Sequence, residues 1–268
     1  MKSSATSHCP TGNHEIEPVT DQVKPSPLIT VAKRDLTSYF ASPIAFVFIV
    51  IFLLLSGFLT FMVAGFFETG EASLSTFFVW LPWLYLFLVP AVGMRMWSEE
   101  RRLGTIELLL TMPVAAWQTI AGKFLASWAV VALAVLLTFP FVVTVNYLGR
   151  PDNGVIFAGY IGSLLMAGAY LAVSAMTSAI TRNQVISFIL SVVILLFLIL
   201  AGWPPVLNVL GQWAPQWLVN TISSFSMMTH FVSIQNGVVD SRDILFFVSV
   251  IVFALFTTSV ILHAHRAG

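Results

Sequence analysis

The sequence predicts an all-α membrane protein with six transmembrane helices, an N-terminal interfacial helix and a re-entrant helical hairpin before the last span. Hydrophobic residues make up 58% of the 268 residues and charged residues only 9%, whereas a soluble domain carries about 25% charged residues. The mean hydropathy is +0.92. Six uncharged stretches occur, most of them near or above the roughly 20 residues with which a helix crosses a bilayer.

The composition also excludes several classes of function. A soluble enzyme or a disordered chain would carry far more charge. The 12 Lys and Arg residues balance the 12 Asp and Glu residues, so the chain lacks the basic excess of a nucleic-acid binder. Cys9 is the single cysteine in the sequence, which excludes an intrachain disulfide and a four-cysteine zinc site.

The N-terminal region divides into a polar tail and an amphipathic segment. Residues 1–27 lack the apolar core of a signal peptide, and we expect a disordered cytoplasmic tail. In Leu28–Phe40, apolar residues recur near helical spacing with Lys33, Arg34 and Asp35 between them. This pattern indicates an interfacial helix with basic groups toward anionic headgroups; an ordinary juxtamembrane segment is the alternative. Residues 28–268 then form one membrane domain, since no remaining loop could hold a second core.

Six stretches qualify as spans because each is apolar and free of charge. The fifth is short and ends before Pro204 and Pro205, which leaves open whether it crosses alone. The fourth carries small residues at helical spacing, which allow close helix packing within the bundle or at a dimer face. The predicted spans are Pro43–Phe67, Ser75–Met94, Phe124–Leu148, Gly154–Ile180, Val185–Ala201 and Ile244–Ala264.

The distribution of cations predicts the orientation. With six spans both termini lie on one side, and ten of the twelve cations lie there too. Only Arg150 and Arg242 lie on the other side. Positive charges concentrate in cytoplasmic loops, so both termini are predicted to be cytoplasmic. The ten cations are Lys2, Lys24, Lys33, Arg34, Arg95, Arg101, Arg102, Lys123, Arg182 and Arg266.

The segment Gly202–Ser241 is long but unusually apolar for an aqueous loop. It contains Trp203, Trp213 and Trp217 and has no charge before Asp240. A helical hairpin that enters the outer leaflet, with tryptophans at headgroup level, fits this composition better than a loop packed on a partner protein.

A dense polar cluster separates the second and third spans. It begins at Arg95 and includes Glu99, Glu100, Arg101 and Arg102. Thr105 can cap a short helix that ends near Pro113. Such an element can dock into a groove on a cytoplasmic partner, with charges setting orientation and leucines anchoring. A purely topological loop is the equal alternative from the residues alone.

A family resemblance bears on this choice. The run from Glu99-Glu100 through Gly104-Thr105-x-Glu107 and Leu109-Leu110 to Pro113 resembles the E-E-x-x-x-G-T-x-E-x-L-L-x-x-P signature of the ABC type-2 permease family. Gly122-Lys123-Phe124 fits the same pattern. His230-Phe231, followed by Gly237-Val238-Val239-Asp240-x-Arg242-Asp243, is similar to the segment before the last span in the gliding-motility-type branch. The resemblance covers the chain from about Leu28 onward.

The resemblance implies the transmembrane subunit of an ATP-driven exporter in the bacterial inner membrane. Its partners would be an ATP-binding cassette ATPase subunit, a second permease copy or related permease, membrane lipid and, as a further candidate, a periplasmic protein. Leu28–Phe40 corresponds to the connecting helix, and the stretch after span five to the re-entrant helices. The implied ATPase-coupling residues are Glu99, Glu100, Arg101, Arg102, Gly104, Thr105, Glu107, Leu108, Leu109, Leu110 and Pro113.

The sequence also lacks several kinds of chemistry. No G-x-x-x-x-G-K-[ST] loop occurs, so ATP and Mg²⁺ are expected on a separate subunit and no cofactor or catalytic residue on this chain. The spans hold few ionisable groups, which disfavours a proton- or ion-coupled carrier. Two alternatives remain: a structural or force-transmitting membrane subunit that moves no solute, and an uncoupled channel or carrier.

Overall fold

The computed structural model describes residues 27–66, 73–104 and 116–264, and the regular structure of these ranges is entirely helical. We number the described helices in chain order as α1 (Pro27–Ala41), α2 (Pro43–Phe58) with a π-helical continuation (Leu59–Val63), α3 (Ser75–Gly93), α4 (Arg95–Leu103), α5 (Ala116–Leu136), α6 (Phe139–Leu148), α7 (Asn153–Ile180), α8 (Gln184–Leu200), α9 (Pro204–Trp213), α10 (Gln216–Ser224), α11 (Met227–Gln235) and α12 (Ser241–Ala264).

The helices confirm an all-α membrane protein. In the described ranges, five helical units are long and apolar enough to span a bilayer, and α8 with α9 makes a sixth if this pair, bent by 69°, is counted as one. The five units are Pro43–Val63, Ser75–Leu103, Ala116–Leu148, Asn153–Ile180 and Ser241–Ala264.

Two predicted span boundaries are wrong. The third span begins at Ala116 rather than Phe124, because Lys123 is accommodated inside the helix by acidic partners. The second continues past Met94 into α4, so that the charged segment starts as a helix rather than a loop. The third span is also interrupted between α5 and α6, where Pro140 occupies the first turn of the new helix.

Helix α7 forms the centre of the bundle. Eighteen of its residues are buried, many of them Gly, Ala or Ser, and these small side chains let α3, α5, α8 and α12 approach it closely. The predicted small-residue stripe makes contacts within the chain. A Cβ on Gly168, for example, would lie 3.2 Å from both Ile251 of α12 and Trp128 of α5.

Helix α1 packs along the beginning of α5. A Cβ added to Gly122 would lie 2.9 Å from the Val31 side chain and 3.2 Å from the Leu28 carbonyl oxygen. Only the missing side chain of glycine permits this approach. The contacts advance along both helices together, from Val31 against Gly122 to Tyr39 against Ser127, so the two helices run roughly parallel. The predicted segment Leu28–Phe40 is therefore helical, and its placement in the membrane interface stays a prediction.

The apolar segment after α8 folds into three short helices, α9 to α11. The side chains of Trp213 and Trp217 are 88% and 68% exposed, whereas Phe231 and Ile234 of α11 are fully buried. Gly162 allows Ile234 to pack on α7, since a Cβ there would meet the Ile234 side chain at 2.8 Å. Re-entry of this segment into the outer leaflet stays a prediction.

Candidate functional site

Helix α4 is the described part of the predicted coupling segment. Its basic residues Arg101 and Arg102 lie in the last turn, where positive charge is favourable beside the helix C-terminus. Gly104 ends the helix with φ of +71°, a left-handed conformation that favours glycine. The predicted helix after Gly104 falls outside the described residues, as do Thr105, Glu107, Leu108, Leu109, Leu110 and Pro113.

Ser178 of α7 caps the N-terminus of α4 from outside the helix. The backbone N–H groups of Trp97 and Ser98 each donate to its Oγ at 3.0 Å. The same hydroxyl donates to the Met94 carbonyl oxygen at 2.8 Å. Met94 itself provides no side-chain cap, so Ser178 satisfies amide groups that a helix start leaves without partners.

A second contact ties the other end of α4 to α7. The Arg101 guanidinium donates to the carbonyl oxygen of Ala179, one residue after Ser178. Trp97, whose backbone N–H takes part in the first contact, is 1% exposed. Both ends of α4 are thus attached to α7, at Ser178 and Ala179 near the C-terminal end of that helix.

Lys123 of α5 forms the centre of an ionic cluster with α1 and α4. Its Nζ lies 3.1 Å from Oδ2 of Asp35 and 2.7 Å from Oε1 of Glu100. The three side chains are 13%, 21% and 20% exposed, so water screens these contacts only in part. The ammonium also lies 5.6 Å from the Trp97 ring centroid, within cation–π range.

One turn further along, Tyr39 and Ser127 extend the contact between α1 and α5. Their hydroxyl oxygens are 2.9 Å apart. Burial raises the pKa of the Tyr39 hydroxyl above its ordinary value, and the hydrogen bond with Ser127 opposes part of that rise. The hydroxyl therefore keeps its proton at neutral pH.

The structure separates the predicted coupling residues into two groups. Glu100 and Arg101 make contacts within the chain, and Glu99 is half-buried beside them. Arg102 is exposed. The interfacial-helix residues divide similarly, because Lys33 and Arg34 are exposed whereas Asp35 points to Lys123. Whether any of these residues contacts a partner stays a prediction.

Sequence reasoning did not assign roles to Lys123 or Ser178. For Lys123 a signal existed, because it is the single charged residue in the otherwise uncharged helix Ala116–Leu136. For Ser178 the signal was weaker, because it is one hydroxyl among many small residues of α7. No neighbouring residue in the sequence indicates that its partner lies in α4.

His230 and Asp243 form a further polar pair at the end of the bundle opposite α4. Nδ1 of His230 lies 2.7 Å from Oδ1 of Asp243, and Nε2 lies 3.1 Å from the Ser224 carbonyl oxygen. The imidazole stacks on Phe246 at 4.0 Å between ring centroids. These contacts join α10, α11 and α12. Among the described residues, no group of three or more His, Cys, Asp or Glu side chains is arranged to hold a metal ion.

Comparison with known families assigns this helical bundle. The family model described as ABC-2 family transporter protein matches residues 67–263, which is 197 of the 268 residues. The chain belongs to the ABC-2 transporter family. It is therefore a multi-pass membrane permease subunit of an ABC transporter. Among curated proteins no relative matches the chain.

The family match of this ABC-2 permease includes α3 to α12 and excludes α1 and α2. Subunits of this family are membrane components that generally do not catalyse ATP hydrolysis themselves, and the family generally implies an ATP-binding cassette partner. The match does not distinguish the gliding-motility-type branch, which stays a prediction.

Proposed function

We propose that this ABC-2 permease is driven by a separate ATPase subunit, which docks on α4 and on the residues that follow it as far as Pro113. The observation that carries the proposal is the anchoring of α4. This helix contacts α7 through Ser178 and Ala179 and contacts α5 through Lys123. A displacement of α4 would therefore move the centre of the bundle.

The exposed end of α4 supports this docking role. Arg102 is exposed and Leu103 is 63% exposed, which gives one charged and one apolar contact immediately before the turn at Gly104. Charges of this kind orient a partner and apolar side chains anchor it. Glu100 and Arg101 would contribute indirectly, because their contacts with Lys123 and Ala179 hold α4 on the bundle.

The proposed cycle follows from these contacts. Two permease subunits, identical or related, face each other, and two ATPase subunits dock beneath them on the cytoplasmic side. ATP binding by the partner favours one permease conformation only if the docking contacts differ in free energy between the two conformations. The ionic cluster at Lys123 and the cap at Ser178 transmit the shift from α4 to α5, α1 and α7. We propose export across the bacterial inner membrane, with both termini cytoplasmic.

Co-purification tests the proposed coupling. The full chain, tagged and extracted from its native membrane into nanodiscs, would be analysed by mass spectrometry of the intact complex and by an ATPase assay. We expect an ATP-binding subunit in equal number with the permease and measurable ATP hydrolysis. Recovery of the chain alone, without a nucleotide-hydrolysing partner, would overturn the coupling and favour an uncoupled channel or carrier.

A charge reversal then tests the docking surface. Arg102→Glu changes an exposed side chain that has no ion pair with the residues the structure describes, so it should release the ATPase while the permease still inserts and folds. Arg34→Glu on α1 is the matched control, because Arg34 is also exposed but lies outside α4. Equal ATPase recovery with both variants would contradict docking at this end of α4.

A further inference from the structure

A charged cavity of about 310 Å³ lies where α1, the start of α2, α4 and α5 meet. This volume is near the lower end for sites that bind small ligands. Its wall includes Asp35, Ser38, Arg95, Glu99, Glu100 and Lys123. The ionic cluster forms part of this wall, and Arg95 and Glu99, which take part in neither the ionic cluster nor the cap, form another part of it.

The charged residues of the cavity divide into the ionic cluster, in which one cation contacts two carboxylates, and a second pair, Arg95 and Glu99. Lys123 is held by Asp35 and Glu100. Arg95 and Glu99 form no ion pair within the part of the chain that the structure describes, although they lie one helical turn apart on α4. Both side chains are half-buried. The wall therefore presents one cationic and one anionic group to an occupant.

The positions of the candidate spans indicate that the cavity lies near the depth of lipid headgroups. Ser42 and Ile44 line it, and they flank Pro43, where the first candidate span begins. Arg95 lies twenty residues after Ser75, where the second candidate span begins, and twenty helical residues extend about 30 Å. The hydrocarbon core of a bilayer is about 30 Å thick, so Arg95 lies near its boundary with the polar region.

An apolar stripe leads from the cavity along α2. Val47, Ile51 and Leu55 follow Ile44 at intervals of three and four residues, and they therefore share its helix face. Their side chains are 53%, 40% and 42% exposed. A molecule with a polar head in the cavity could lay a hydrocarbon chain along this stripe.

We propose that the cavity binds a phosphate that carries a primary amine, as in the headgroup of a phosphoethanolamine lipid. The phosphate is held by the Arg95 guanidinium and the ammonium by the Glu99 carboxylate, both in charge-assisted hydrogen bonds. The acyl chains follow Val47, Ile51 and Leu55. This site is independent of the proposed coupling to an ATPase, since it needs only the membrane placement of the bundle.

The charge balance of the wall selects against other headgroups. Asp35, Glu99 and Glu100 outnumber Lys123 and Arg95 by one charge, so a headgroup with net negative charge is repelled. A quaternary amine has no N–H to donate to Glu99, and so it forms a weaker contact than a primary amine.

Lipid retention tests the proposal. The full chain would be reconstituted in nanodiscs with equal amounts of phosphatidylethanolamine, phosphatidylcholine and phosphatidylglycerol, released into detergent, and examined by native mass spectrometry for bound lipid. We expect phosphatidylethanolamine to be retained in preference to the other two. Arg95→Gln and Glu99→Gln should each lower that retention about tenfold, because each removes a charge-assisted hydrogen bond.

Two further variants separate binding from folding. Ser38→Phe fills the cavity without changing its charge, and it should also abolish the preference. Arg102→Gln removes one positive charge from the same helix outside the cavity, and it should leave retention unchanged. Equal retention of the three lipids, or unchanged retention in Arg95→Gln and Glu99→Gln, would overturn the proposal.

A competition arm distinguishes the source of the headgroup. Millimolar O-phosphoethanolamine, added during release, should displace phosphatidylethanolamine only weakly, because it lacks the acyl chains that contact α2. Complete displacement, or binding of this soluble compound without any lipid preference, would assign the cavity to a soluble aminophosphate and overturn the lipid assignment.

Discussion

Lys123 and Glu100 form a salt bridge of 2.7 Å between α5 and α4. The same ammonium contacts Asp35 of α1 at 3.1 Å, so one cation links three helices that are far apart in sequence. Because two carboxylates share it, loss of the cation leaves two half-buried negative charges close together. The ABC-2 permease therefore has a charge-sensitive position inside a candidate span.

Replacement of Lys123 should destabilise the bundle more than replacement of either acid. We expect Lys123→Met to lower the free energy of unfolding by about 2–3 kcal/mol, somewhat less than for a fully buried pair. Unfolding by SDS titration in mixed micelles would measure this. In the triple variant Lys123→Met, Asp35→Asn, Glu100→Gln, most of the loss should be recovered, because the two carboxylates that repel each other without the cation are gone. No recovery would show that Lys123 acts through packing alone.

Removal of the Ser178 hydroxyl, which caps α4, should lower the free energy of unfolding more than removal of the nearby Ser174 hydroxyl. Ser178→Ala leaves two amide groups of α4 without an acceptor, and we expect a loss of about 1–2 kcal/mol. Ser174→Ala is the matched control, since Ser174 is equally buried on α7 but donates within its own helix to Tyr170. Hydrogen exchange should rise in α4 for Ser178→Ala only. Equal exchange in both variants would contradict the capping role.

A methyl group at Gly122 should separate α1 from α5. Gly122→Ala places a Cβ against Val31, and we expect a destabilisation of about 1–2 kcal/mol from overpacking. Adding Val31→Ala should restore part of this loss, because the contacting side chain is shortened while the nearby Leu28 carbonyl remains. The thermal midpoint in nanodiscs would measure both effects. A double variant no more stable than Gly122→Ala alone would locate the strain elsewhere.

The pair formed by His230 and Asp243, at the end of the bundle opposite α4, should also stabilise the fold. In His230→Ala the Asp243 carboxylate, whose residue is only 6% exposed, loses its hydrogen bond with the imidazole, and we expect the free energy of unfolding to fall by about 2 kcal/mol. His263→Ala is the control, since His263 is exposed and its Nδ1 lies 2.7 Å from the Ser259 carbonyl oxygen of its own helix. Proteolysis between α10 and α12 should increase for His230→Ala alone. Similar cleavage of the two variants would indicate that α11 is held by its apolar contacts.

The proposed orientation can be tested with single cysteines, because Cys9 is the only native one. In a Cys9→Ser background, Arg102→Cys and Trp213→Cys place exposed thiols at opposite ends of the bundle. A membrane-impermeant maleimide should label Trp213→Cys in intact cells and Arg102→Cys only in inverted vesicles. The reverse pattern would place α4 outside and contradict cytoplasmic termini.

The helix content and most span positions were predictable because hydrophobic length is a local property of the sequence. The boundary near Lys123 was not, because a charge in an apolar run normally ends a span. Only the distant residues Asp35 and Glu100 explain why the helix continues through it. The start of α4 was missed for a similar reason, since its cap comes from Ser178, about 80 residues later in the chain.

The polar character of α4 was predictable, but its contacts were not. The charged motif marked this segment because charges beside two apolar spans are conspicuous, and its role in coupling stays a prediction. Which side chains turn inward depends on the packing of α1 and α7 against α4, and neither is evident from the motif. Glu100 and Arg101 were therefore grouped with Arg102, although the structure gives them internal partners.

The burial of α7 has a consequence for how the protein is made. Its small residues pack against α12, yet 60 residues separate the end of α7 from the start of α12. Because α7 is synthesised before α12, the face of α7 that packs on α12 has no partner within the bundle until α12 has been inserted. A ribosome-bound chain that stops before Ser241 should thus present that face to insertion factors or to quality-control proteases, and biogenesis of the bundle is complete only when its last described helix arrives.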